Sequence, residues 1–240
     1  MDNYLKRGGT IIKTIGLIGG LSWQSSAHYY RLINELVAQK LGAPHSCQSV
    51  MYSVNFALIE RLQHQGQWQL LSCQLKKIAK KLEGAGADLL LICSNTMHRV
   101  AGEIEAEIKV PLLHIADAAA EEIKKRNMER VGLLGTSFTM EQGFYRERLQ
   151  DHGIDVMVPA EEERRVVHQV IYRELIAGIF SKESREQYQE IIDRLRLNGA
   201  EGVVLGCTEI PLLMGEEDSS LPLFDTTELH ASRAVEVALE

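Results

Sequence analysis

Gly86-Ala87-Asp88-Leu89-Leu90-Leu91-Ile92-Cys93-Ser94-Asn95-Thr96 and Gly199-Ala200-Glu201-Gly202-Val203-Val204-Leu205-Gly206-Cys207-Thr208-Glu209 carry one pattern twice, without a gap, 113 positions apart. Each copy opens on Gly-Ala-acid, runs through an apolar stretch and closes on small polar side chains. A short apolar run between amphipathic stretches marks a parallel strand covered by helices on both faces. A second match lies upstream in the same order. Ile15-Gly16-Leu17-Ile18-Gly19-Gly20 stands against Val131-Gly132-Leu133-Leu134-Gly135-Thr136, 116 positions on, and the likeness reaches Tyr29 against Tyr145. One glycine-bearing strand can match another by chance, because βα units resemble one another. Two co-linear matches at nearly one offset predict two similar α/β halves.

The remaining periodicity fits that plan. Further apolar runs at Thr14–Gly19, Val50–Val54 and Arg130–Gly135 read as strands. Amphipathic patterns at Ser25–Gln39, Trp68–Glu83, Met97–Glu107, Met140–His152, Val166–Ala177 and Ser184–Asn198 read as helices. The expected fold is α/β: two similar domains with parallel sheets, related by a pseudo-twofold, with the active site in the cleft between them. Residues 1–113 with 220–240 form the first domain, and 114–219 the second. Ligands of open parallel sheets bind beyond the carboxyl ends of the strands. Ser94 and Cys207 would then stand on opposite walls of one pocket, as inversion at a tetrahedral carbon requires.

Composition narrows the partners. Of the 240 residues, 45% are hydrophobic and 25% charged, which suits a domain with a real core. A net charge of −7 argues against a nucleic-acid footprint. No window reaches the apolar length of a membrane span, and Met1–Thr10 lacks the pattern of a signal peptide. The four cysteines, Cys47, Cys73, Cys93 and Cys207, show neither metal-ligand nor disulfide-scaffold spacing. Reduced thiols in the cytoplasm are expected, with a small-molecule ligand and neither nucleic acid nor membrane as partner.

Each strand end has a structural and a chemical reading. Ser94, Asn95 and Thr96 could simply cap the helix that follows, or their donors and the helix start could hold a carboxylate. Cys207 could be a buried structural thiol. Alternatively, a helix start could draw its pKa below the free value of about 8.5, giving a useful thiolate. Gly206 would let the chain turn tightly or admit a ligand close to the backbone. The weaker features are blander. Gly16-Leu17-Ile18-Gly19-Gly20 lacks the G-x-G-x-x-G pattern of a dinucleotide loop. His98 reads as a helix-face histidine satisfied by neighbours. His168 could approach the cleft or serve packing, and Glu161–Arg165 reads as a solvated helix start. Trp23 and Trp68 read as packing.

The motifs Gly19-Gly20-Leu21-Ser22-Trp23, Ser94-Asn95-Thr96-Met97-His98, His114-Ile115-Ala116-Asp117, Leu134-Gly135-Thr136 and Gly206-Cys207-Thr208-Glu209 span nearly the whole chain. Together they resemble the aspartate/glutamate racemases of the wider Asp/Glu/hydantoin racemase group. The resemblance implies flavodoxin-like domains, no metal, no pyridoxal cofactor and usually a homodimer. It also implies that the residue before Asn-Thr and the cysteine of Gly-Cys-Thr-Glu are the two acid/bases. The carboxylate donors would be Asn95, Thr96, Thr136 and Thr208, with Leu21, Gln63 and Glu209 also lining the site. Most members carry Cys before Asn-Thr, where this chain has Ser94. A similar branch carries Thr there and acts mainly on L-aspartate and L-glutamate. Cys93 does not replace the missing thiol, because consecutive strand residues face opposite sides.

These readings lead to cofactor-independent racemisation of L-aspartate or L-glutamate, with Cys207 as thiolate taking the α-proton and Ser94 returning one on the other face. Hydantoin racemisation, maleate isomerisation, arylmalonate decarboxylation and amino-acid binding without catalysis are the alternatives.

Overall fold

The repeated Gly-Ala-acid triplet does the same work in both places. A computed structural model describes residues 12–240; the expectation about a signal peptide at Met1–Thr10 lies outside them. Gly86 and Gly199 take φ values of 93° and 99° just past the ends of long helices, where any side chain would be strained. Ala87 and Ala200 are buried. The acid that follows accepts amides at the start of the neighbouring strand. Asp88 takes Thr14 N at 2.7 Å, and Glu201 takes Glu129 N and Arg130 N at 2.7 and 2.9 Å. In each half, the carboxylate aligns two central strands before their ladder begins.

The chain divides into two units. The first holds the residues up to Cys93, Val100–Leu113 and Ala231–Glu240. Its elements are β1 (Ile15–Gly19), α1 (Trp23–Leu41), β2 (Ser49–Ser53), α2 (Phe56–His64), α3 (Trp68–Gly84), β3 (Leu89–Ile92), α4 (Ala101–Glu105) and β4 (Leu112–Leu113). The strands form one parallel sheet in the order β2-β1-β3-β4. Helix α1 buries Tyr29, Ile33 and Val37, four residues apart, as an amphipathic helix on a sheet must. They pack with Ile15, Leu17, Leu89, Leu91 and Cys93.

The second unit holds Ser94–Arg99 and His114–His230. It runs α5 (Ile115–Lys125), β5 (Arg130–Gly135), α6 (Ser137–Glu141), α7 (Gly143–Asp151), β6 (Asp155–Met157), α8 (Glu161–Arg173), α9 (Lys182–Leu197), β7 (Gly202–Gly206), β8 (Leu223–Asp225) and the start of α10 (Thr226–Leu239). Its parallel sheet has the order β6-β5-β7-β8, the same plan in its own numbering. That order is flavodoxin-like. Alternate residues of β7 serve opposite faces: Val203 and Leu205 pack with Cys207, and Val204 packs with Ile115, Leu133 and Phe224.

Several expectations need correction. Residues 220–240 were assigned to the first domain, yet β8 pairs with β7 and buries Phe224. Only the residues from Ala231 onward join the first unit, through Ala231, Ala234, Val235 and Ala238. The helix expected over Met97–Glu107 is a 3₁₀ turn, Thr96–Val100, followed by the five residues of α4. Extended Gln142 interrupts the one expected over Met140–His152. Trp23 is 69% exposed rather than packed, because it begins α1 away from that helix's buried face. No described helix is long and apolar enough to cross a membrane.

Candidate active site

Ser94 follows β3 of the first unit, but the segment it opens bonds into the second. Asn95 Nδ2 donates to Thr226 Oγ1 at 3.0 Å, and Thr226 Oγ1 donates to Leu205 O at 2.8 Å. Thr96 Oγ1 lies 3.0 Å from Thr136 Oγ1 and 3.4 Å from Thr139 Oγ1, which are themselves 3.2 Å apart. Arg99 also donates to Gln142. Ser94, expected to come from the opposite half to Cys207, therefore groups with the second unit. These partners lie at the carboxyl ends of β5, β7 and β8, where open parallel sheets bind ligands.

The network restricts what each group can offer. Thr226 spends its one proton on Leu205 O, so it must accept from Asn95, and this fixes the amide's orientation. Asn95 Oδ1 is buried with no hydrogen-bond partner among the described residues. That oxygen is an acceptor suited to an ammonium group. One hydrogen of the Asn95 N–H₂ serves Thr226, and an amide carries a second, so the expectation of a side-chain donor for a carboxylate stays open. Ser94 is half-buried, and its Oγ accepts Met97 N at 3.4 Å. The capping role is real but weak, and it leaves the hydroxyl proton uncommitted.

Cys207 departs most from expectation. No α-helix begins after it, only a three-residue 3₁₀ turn, Ile210–Leu212, containing Pro211. A macrodipole that would lower the thiol pKa is missing. Instead, burial pushes the thiol well above its ordinary value, and the neighbouring Glu209 carboxylate adds to the rise. Cys207 Sγ donates to Glu209 Oε2 at 3.1 Å, and Thr208 Oγ1 donates to the same oxygen at 2.8 Å. The resting group is a thiol held against a carboxylate. Buried Tyr188 also faces Cys207; burial first, then Cys207 and Glu174, keeps its phenol protonated.

Gly206 serves strand packing rather than a turn. A Cβ there would come within 2.9 Å of Leu133 Cδ1 and 3.0 Å of Leu134 O. Cys93 sits in the apolar core of the first unit, fully buried, with its thiol raised by burial alone. Leu21, just before α1, and Gln63, on α2, are buried in the first unit. His168 accepts Ser137 N at 3.2 Å and packs against Tyr172, so its place is local to α6 and α8.

Thr139, Thr226 and His230 go unmarked in the sequence, whereas His98 is satisfied by its neighbours as expected and stands in a block of histidines. Thr139 is the third member of the hydroxyl cluster. Thr226 is the partner that orients Asn95. His98, His114 and His230 are all buried, with ring centroids 4.5 Å (His98–His114) and 5.7 Å (His98–His230) apart. Burial, then the nearby His98, brings His114 down to about 2. A threonine beside a strand end could have flagged Thr226; no local signal marks His230.

A family model described as Asp/Glu/Hydantoin racemase matches residues 18–234. The chain is 49% identical to a candidate Asp/Glu racemase from Yersinia pestis, with a TM-score of 0.90 over 95% of this chain and 100% of that one. It is 37% identical to an aspartate racemase homologue from Pyrococcus horikoshii, with a TM-score of 0.84 over 95% and 100% of the two chains. The broad specificity amino-acid racemase RacX of Bacillus subtilis is 26% identical over 165 residues, 67% of this chain and 69% of that protein.

Proposed function

Because this chain belongs to the Asp/Glu/hydantoin racemase family, a membership that supports amino-acid racemase activity, we propose that it interconverts the enantiomers of aspartate or glutamate without pyridoxal phosphate. Cys207 and Ser94 transfer the protons, one on each face of the α-carbon. The observation that carries this reading is the thiol of Cys207 bonded to the Glu209 carboxylate at the end of a central strand. It supplies a proton and a place to put it.

The resting thiol sets the order of events. Cys207 passes its proton to Glu209, and the thiolate then takes the α-proton of the L-amino acid. The planar carbanion receives a proton from Ser94 on the other face. The alkoxide left on Ser94 regains a proton by way of Glu209 or solvent, so the site returns to its starting state. Donors from Thr96 and Thr136 stabilise the charge that builds on the α-carboxylate, Thr208 gives its hydroxyl proton to Glu209 instead, and Asn95 Oδ1 accepts from the ammonium.

The test is chiral analysis of purified protein with L-aspartate, L-glutamate and a panel of neutral amino acids, without cofactor, alongside α-hydrogen exchange in deuterated water. Conversion of an acidic substrate supports the proposal. Turnover of neutral substrates alone would replace the substrate class, as RacX's broad specificity illustrates for a relative. Binding without conversion or exchange would make the protein a sensor. A small-molecule substrate, a cytoplasmic site of action and a homodimer belong to the same proposal, and light scattering tests the last.

A further inference from the structure

His98 is bonded on both ring nitrogens. Nδ1 lies 2.7 Å from Ser94 O, and Ile115 N lies 3.2 Å from Nε2. A carbonyl only accepts and a peptide amide only donates, so Nδ1 carries the hydrogen and Nε2 is bare. The ring is thereby a fixed link between the Ser94 peptide and the first turn of α5. His114 completes that turn by accepting Ala116 N at 3.2 Å. The α5 helix is anchored in turn, with Ile115, Ala116, Ala120 and Ile123 packed against Val131 and Leu133 of β5. His98 itself is 3% exposed. Among the described residues, no group of three His, Cys, Asp or Glu is arranged to hold a metal ion.

Resting on the racemase reading above, we propose that His98 is a positioning residue for proton transfer on the Ser94 face. Among the described residues, the Ser94 hydroxyl has one bond, the long one from Met97 N, which holds it loosely. The short bond from His98 sets the Ser94 peptide plane, and with it the direction of the Ser94 side chain, while Asn95 and Thr96 keep their own anchors on Thr226, Thr136 and Thr139. Without it, the Ser94 carbonyl would be left unpaired beside a buried ring, and the peptide would rotate to find another donor. Cys207 directly follows β7, and its bond to Glu209 does not pass through His98. Loss of His98 therefore strikes one face of the substrate and spares the other.

The experiment uses the full chain, S94A, H98N, H98Q and the double variant S94A/H98Q. Each is checked by circular dichroism and melting before kinetics. Inversion by chiral analysis and α-hydrogen exchange of the L-substrate in deuterated water are measured together. H98Q keeps an acceptor for Ile115 but loses the donor to Ser94. It should lose inversion by about 10²-fold, with KM nearly unchanged and exchange within about threefold. H98N keeps a donor at the Nδ1 position and should stay within about tenfold of the parent in inversion. S94A/H98Q should exchange no more slowly than S94A. H98Q that inverts normally, H98N as poor as S94A, or a double variant with slower exchange would each overturn the proposal. Should either single variant fail to fold, the other decides alone. A parent chain with neither inversion nor exchange would instead defeat the racemase reading, so the two failures are distinct.

Discussion

Cys93 and Cys207 are both buried thiols at the ends of central parallel strands, yet they occupy different chemical worlds. Cys93 faces Ile15, Leu17, Leu89 and Leu91. Cys207, one step later in the repeat, meets the Glu209 carboxylate. Residues of a strand alternate between faces, so a shift of one position separates a thiol among apolar side chains from one bonded to a carboxylate.

The largest expected effect breaks that comparison outright. Cys207→Ala should reduce both inversion and α-hydrogen exchange by ~10³-fold or more, whereas Cys93→Ala should leave both intact. The latter's cost is a small cavity, about 1–2 kcal/mol by denaturant unfolding. Equal kinetic damage from the two substitutions would refute the assignment.

Next comes the carboxylate. In the proposed mechanism, Glu209 takes the Cys207 proton across the bond between them. In Glu209→Gln, the pair is neutral until the thiol itself ionises. Its pKa should fall, because the carboxylate that helps raise it is gone, while burial still holds it up. Activity at neutral pH should drop by about 10²-fold and recover as pH rises, and peptide-level alkylation of Cys207 should increase. A rate loss that no pH restores would show that Glu209 serves binding alone.

A smaller gain should follow from giving the first strand end the chemistry of the second. Ser94→Cys replaces a hydroxyl by a better acid, and inversion from either enantiomer should rise on the order of tenfold. Unchanged inversion, measured by optical rotation, would mean that proton delivery at Ser94 is not limiting.

The smallest effect concerns stability. His114 titrates near 2 in the folded chain, against 6.5 for the ordinary residue. The unfolded chain therefore binds a proton that the folded one refuses. Stability from this group is complete above 6.5 and is lost as pH falls toward 2, by about 1.4 kcal/mol per pH unit at most. Asp117 adds a second acid-sensitive term. Burial opposes its charge, but hydrogen bonds from Arg148 and His152 outweigh that and hold it near 2. His114→Asn keeps an N-cap but cannot titrate, so melting temperature should fall less steeply between pH 6.5 and 4. An unchanged slope would assign the acid sensitivity elsewhere.

Much of the fold was legible because its signals are local. The central strands β1, β3, β5 and β7 are covered on both faces and read as unbroken apolar runs. The edge strands β4, β6 and β8, of two or three residues, are too short to show a period, and α2, α5 and α10 also went unread. Missing β8 is why 220–230 fell to the wrong unit. Within the site, Ser94 and Cys207 stand out as matched strand ends, but nothing local pairs Thr226 with Asn95 or His230 with His98, because each partner lies more than a hundred residues away.

From its sequence alone, the chain determined two copies of one βα plan, each started by a helix-ending glycine and an aligning acid and finished by a small polar group. Such features depend on sterics and hydrogen bonds between near neighbours. Only the tertiary structure decided that Cys207 rests as a thiol against Glu209, that Thr226 orients the Asn95 amide, and that His98 ties Ser94 to α5. A proton's position depends on burial and on whichever acceptor the folded chain brings within about 3 Å, and neither is encoded in any short stretch of residues.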